Sequence, residues 1–215
     1  MTREPDMQIA IFLFDRLTAL DAVGPYEVLS RLPDAQVTFV AQEPGLKHTD
    51  THQLALLATA SLREVPSPDV VLVPGGRVEQ PELMDDGPVH EWLRAAHESS
   101  TWTASVCTGS LILAAAGLLM GRRATTHWTA LEELARLGAE PMAERVVFDG
   151  KLVTAAGVSA GIDMALALAA RIAGEQVAQA IQLGIEYDPQ PAFDAGSPEK
   201  APAAVVQTVR TAVGV

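Results

Sequence analysis

Three times along the chain, a short apolar run of strand length stops at a turn rich in small residues and gives way to a helical pattern. Residues 8–14 form the first run, and Gly24-Pro25 then opens a helix through Tyr26, Val28, Leu29 and Leu32, because proline suits a first helical turn. The β-branched run 69–73 stops at Pro74-Gly75-Gly76 and is followed by a helix over 88–98. Residues 102–106 read as a buried strand, with Cys107 immediately after it and a helix over 109–119. Strands that alternate with helices imply an α/β protein with a mostly parallel sheet and helices on both faces, since parallel strands need crossover connections. Ligands of such sheets bind beyond the carboxyl ends of the strands. Asp21, the Gly75-Gly76 turn and Cys107 all fall at that edge.

The rest of the pattern fits one domain over 1–215, with 1–6 as a loose tail. Residues 36–41 alternate as a strand, and 43–60 suggest a small hairpin or excursion. A strand over 123–126 precedes a helix over 129–137, and 146–155 is a hairpin turned by Asp149-Gly150. Residues 159–173 form a helix so evenly apolar that most of its sides should be buried. A helix over 175–187, an ordered proline-rich loop over 188–202 and a helix over 203–213 complete the chain.

Charge and cysteine content narrow the function classes. With 27 acidic against 15 basic residues, the surface repels phosphate backbones and anionic membranes, so neither nucleic acid nor a membrane is an expected partner. The start of the chain lacks the apolar stretch of a secretory signal. The most apolar run, 111–120, falls short of the roughly 20 residues that cross a bilayer. One cysteine makes neither an internal disulfide nor a Cys-rich zinc site, and the five histidines show no metal-ligand spacing. A cytoplasmic address, a small-molecule substrate and no cofactor or metal are expected.

Ser105-Val106-Cys107-Thr108-Gly109 has the small-x-nucleophile-x-small form of a nucleophile elbow. Small flanking residues let strand and helix approach, and the following helix should lower the thiol pKa. The alternative is a small buried hydrophobe. The Gly75 and Gly76 N–H groups could hold developing negative charge, or the pair could simply turn the chain. Asp21 is either a helix cap or a carboxylate beside Cys107 that exchanges protons with a substrate. Thr108 either begins the helix or offers its hydroxyl to the pocket. His127 lies near the site edge, whereas His48, His52, His90 and His97 sit in settings where a solvated role is expected.

These elements, in this order, resemble the ThiJ/PfpI superfamily of class I glutamine-amidotransferase-like proteins, and within it the isocyanide hydratase branch. The resemblance rests on LDAVGPYEVL, VPGG, SVCTGSLILAAAGLLMGRRATTHW, GVSAGIDMALALAA and PAFDAGSP, and runs from about Gln8 to the last helix. It implies a flavodoxin-like three-layer sandwich, a homodimer, and hydration of isocyanides to N-formamides. It also implies that Cys107 attacks the substrate, Asp21 handles protons and Thr108 supports the site, with a helix starting around Val158 packed near the cysteine. Many relatives carry glutamate at the position of Asp21 and histidine at that of Thr108; the hydratase branch departs in the same way. The alternatives the resemblance leaves are a regulatory or thiol-sensing domain related to those of helix-turn-helix transcription regulators, and a glyoxalase-like enzyme.

Overall fold

The computed structural model describes residues 7–214; the expected tail at 1–6 lies outside them. The chain opens with β1 (Met7–Phe12), α1 (Ala19–Leu29), β2 (Ala35–Ala41), the hairpin β3 (Gly45–His48) and β4 (Ala55–Ala58), and a short β5 (Ala60–Ser61). Next come β6 (Val70–Val73), α2 (Pro81–Met84), α3 (Pro88–Ser99), β7 (Trp102–Val106) and α4 (Gly109–Ala115). β8 (Arg123–Ala124), a 3-10 turn (Trp128–Ala130), α5 (Leu131–Arg136), β9 (Glu140–Pro141), β10 (Val146–Asp149) and β11 (Leu152–Ala155) precede α6 (Ala160–Ala173), α7 (Glu175–Gly184) and α8 (Ala203–Val213).

Seven strands form the main sheet in the order β10-β11-β7-β6-β1-β2-β5. All its pairs are parallel except β10 with β11, which the Asp149-Gly150 turn makes antiparallel. β6 is buried at every position and β7 at all but its first, as strands covered on both faces must be. α1, α6 and α7 pack together on one side, while α4 joins α2, α3 and α5 on the other. The result is the three-layer α/β sandwich that the strand-helix alternation implies. Segment 43–60 forms the β3–β4 hairpin as expected, separate from the main sheet.

Helix boundaries differ where packing overrides local preference. α1 begins at Ala19 rather than at Gly24-Pro25, so Pro25 lies inside it and Asp21 in its first turn. The reason is its contact with α6: a Cβ on Gly24 would stand 3.1 Å from Ile162 Cγ1, and one on Gly161 3.1 Å from Pro25 Cγ. Gly24 and Pro25 form a packing face, not a helix start. α4 ends at Ala115 instead of 119, followed by turns in which Gly117 and Gly121 take φ of 83° and 64°. α6 matches its expected burial: Met164, Ala165, Leu168 and Ala169 are buried, and Arg171 is its one exposed residue.

Candidate functional site

β7 runs through the middle of the sheet and ends at Val106, so the next residue emerges at the carboxyl edge. There Cys107 takes φ of 56°, a left-handed conformation that a non-glycine residue keeps only when its surroundings enforce it. They do so at both ends of the peptide. The Cys107 N–H reaches the carbonyls of Ala155 and Ala156, each at 3.0 Å. Its carbonyl accepts hydrogen bonds from Thr126 Oγ1 at 2.9 Å and Ser110 Oγ at 3.2 Å. Gly109 allows the close approach: a Cβ there would lie 2.2 Å from the Val73 carbonyl oxygen.

The structure brings Asp21, Gly75, Gly76, Cys107 and Thr108 into one cluster. Asp21 is fully buried, and its Oδ2 accepts the Gly75 N–H at 2.9 Å. Its Oδ1 has no hydrogen-bond partner among the described residues. Thr108 Oγ1 donates to the Gly76 carbonyl at 3.0 Å and accepts from the Gly76 N–H at 2.9 Å. Gly75 is where these groups meet, since a Cβ on it would stand 2.6 Å from Thr108 N and 2.9 Å from Asp21 Oδ2.

Two chemical expectations change. The Gly75 and Gly76 N–H groups do not face open ligand space; they are engaged by Asp21 and Thr108, so in this arrangement they orient the acid and the hydroxyl rather than wait for an anion. Nor is the thiol depressed by the helix that follows. Burial, then the nearby Asp21 charge, push Cys107 up to about 12, and the Val158 N–H, the Thr108 N–H and the Thr108 side chain offset only part of that. Asp21 itself is pushed up from 3.8 to about 7: burial dominates, the Gly75 N–H and the Cys107 side chain oppose it, and the Asp50 charge adds to it. The Asp21 carboxyl and the Cys107 thiol are both buried and each shifts the other's proton affinity, so the two groups are coupled. At neutral pH a protein-held thiol therefore faces a carboxyl poised between acid and base.

His127 is not brought into a pair with Cys107. Its Nδ1 lies 2.7 Å from Thr129 Oγ1 and accepts the Thr129 N–H, so it caps the 3-10 turn, and burial pulls its pKa down. His48 and His52 are exposed as expected, but His90 is buried, its Nε2 2.8 Å from the Leu83 carbonyl, because it lies on the inner face of the amphipathic α3. A shallow hollow of about 400 Å³ lined by Arg31 and by Val177, Ala180 and Ile181 of α7 shares no residue with the cluster. Thr18 and Asp50 carry no recognisable pattern in the sequence, because their contacts with this cluster depend on tertiary pairing. Val158, with φ of 30° ahead of α6, lies near the cysteine as the resemblance implied, and Thr126 belongs to the TTHW segment.

A mostly parallel α/β sandwich with a cysteine on a strained strand-to-helix elbow, facing a buried carboxyl, defines the class of protein to which these residues point. The chain belongs to the DJ-1/PfpI family, whose model matches residues 7–171. It is 46% identical to isonitrile hydratase of Pseudomonas putida, over 95% of this chain and 89% of that one. A THiJ/PfpI family protein from Pseudomonas syringae superposes with a TM-score of 0.93 at 36% identity, covering 100% of this chain and 90% of that one. The HTH-type transcriptional regulator CdhR of Pseudomonas aeruginosa is 30% identical over 77% of this chain, which spans about half the regulator's length (49%).

Proposed function

We propose that this protein hydrates isocyanides to N-formamides, with Cys107 as nucleophile, Asp21 as proton carrier and Thr108 as a supporting hydroxyl. The observation that carries the proposal is the Cys107–Asp21 pair: a thiol near 12 and a carboxyl near 7, both buried, share one proton above neutral pH. The terminal carbon of an isocyanide accepts both a nucleophile and a proton, so it fits such a pair. Asp21 takes the thiol proton as Sγ bonds to that carbon, and returns the proton to the same carbon, giving a thioimidate, R–N=CH–S–Cys107. The Asp21 carboxylate then removes a proton from water as it adds to the carbon, nitrogen is protonated, and the C–S bond breaks. The products are R–NH–CHO and the free thiol, so one water is consumed and no electrons are exchanged.

Access supports the same reading. Cys107 is only 6% exposed, which suits a slim, linear group better than a bulky one. The similarity to the P. putida isonitrile hydratase over nearly the full length supports the substrate class. The protein acts as a homodimer in this proposal. Leu46 and Leu57, paired across the β3–β4 hairpin, are 62% and 54% exposed, and a two-stranded hairpin with an uncovered apolar face is marginal by itself. The test is formamide production by the purified protein: turnover that Cys107→Ala abolishes supports the assignment, and turnover that survives this substitution contradicts it.

A further inference from the structure

Three stretches of chain converge beside Asp21. Residues 15–18 lie between the Gly75-Gly76 turn on one side and the tip of the β3–β4 hairpin on the other. Leu17 makes bridges to both Gly76 and Thr49. The Thr18 N–H donates to the Gly75 carbonyl at 2.9 Å, the Arg16 N–H to His48 O at 2.6 Å, and the Asp50 N–H to Leu17 O at 2.9 Å. Thr18 is the N-cap residue of α1, yet its hydroxyl caps nothing in the helix. It donates instead to Asp50 Oδ2 at 2.8 Å. A residue suited to capping has been diverted to a carboxylate on a separate element.

We propose that Asp50 is a positioning residue for Asp21, holding Thr18 from the tip of the β3–β4 hairpin and so fixing the first turn of α1, in which Asp21 lies three residues further on. The Asp21 N–H donates to the Thr18 carbonyl at 3.1 Å, so a shift of Thr18 moves the backbone that aims the carboxyl at Gly75. The Asp50 charge has a second effect. The titratable groups whose fields reach Asp21 are Cys107, from the elbow, and Asp50, from the hairpin, and a negative charge at Asp50 favours the acid form of Asp21. One residue thus sets both the aim and the proton affinity of the acid. This inference rests on the reading of Asp21 as the proton carrier.

Asp50→Asn separates the two effects, because the amide keeps an oxygen for Thr18 and loses the charge. The measurement is the infrared titration of the protonated Asp21 carboxyl, identified as the band missing in Asp21→Asn, together with the pH profile of isocyanide turnover. In Asp50→Asn the midpoint moves to lower pH by about half a unit in the infrared titration, and in the turnover profile wherever turnover is measurable. Thr18→Val lowers kcat about tenfold with KM little changed, and Thr18→Ser restores it. An unshifted infrared midpoint in Asp50→Asn overturns the electrostatic half of the proposal, and a wild-type kcat in Thr18→Val overturns the positioning half. The infrared titration needs no substrate, so it still decides the electrostatic role of Asp50 if the protein does not hydrate isocyanides.

Discussion

Asp21 near 7 beside Cys107 near 12 means that the doubly protonated pair predominates in acid and the singly protonated pair above neutrality. Only the second contains a base for the thiol, so kcat/KM rises with pH through about 7 and then levels; a profile that falls through that range contradicts the assignment of Asp21. The same shift appears in stability. The folded state binds the Asp21 proton more tightly than the unfolded chain between 3.8 and about 7, so this group's contribution is full below that window and is lost as pH rises through it. Asp21→Asn should therefore gain thermal stability relative to the parent on going from pH 4 to pH 8, which calorimetry at the two pH values checks. Gly75→Ala puts a Cβ 2.6 Å from the Thr108 backbone and should cost about 1–3 kcal/mol in urea unfolding and most of the activity. Cys107 and its small neighbours were readable from the sequence because the elbow needs specific residue types at fixed spacing. The pKa values were not, since burial and the charge of Asp21 decide them, and neither has a sequence pattern.

At the scale of elements, the alternation of strands and helices could be read almost throughout, and the β7 and α8 boundaries coincide with expectation. Misplaced ends have particular causes. The start of α1 was hidden because Gly24-Pro25 has the local form of a helix opening, while the packing face it forms against α6 depends on Ile162 and Gly161, far along the chain. The two-residue strands β5 and β9 and the four-residue α2 went unseen, being too short to establish a period. Another device invisible to periodicity closes α3. Lys151, from the turn between β10 and β11, donates through Nζ to the carbonyls of His97, Glu98 and Ser100 at the end of that helix. A cation there satisfies free carbonyls and meets the negative end of the helix dipole. Lys151→Met should lower stability by about 1–2 kcal/mol in urea unfolding and leave kcat unchanged, the site being elsewhere. A kcat that falls with stability intact would give this lysine a different role.

For the whole molecule, the net charge is −12, and no described helix is long and apolar enough to cross a membrane. Leu46, Leu54 and Leu57 on the hairpin segment and Leu20 on α1 are exposed, and the proposed homodimer is tested there. Light scattering on the eluting protein should give about twice the 22.7 kDa chain mass, and Leu46→Lys with Leu57→Lys should halve it; a parent that elutes as a monomer removes the dimer. Burial pushes the Cys107 thiol well above its ordinary value, so reaction at Sγ depends on a proton acceptor beside it. The most direct test is to incubate the purified protein and its Cys107→Ala variant with a simple alkyl or aryl isocyanide and quantify the N-formamide. Formamide from the parent and none from the variant is the predicted result; no formamide from the parent across several isocyanides, or equal amounts from both proteins, would contradict it.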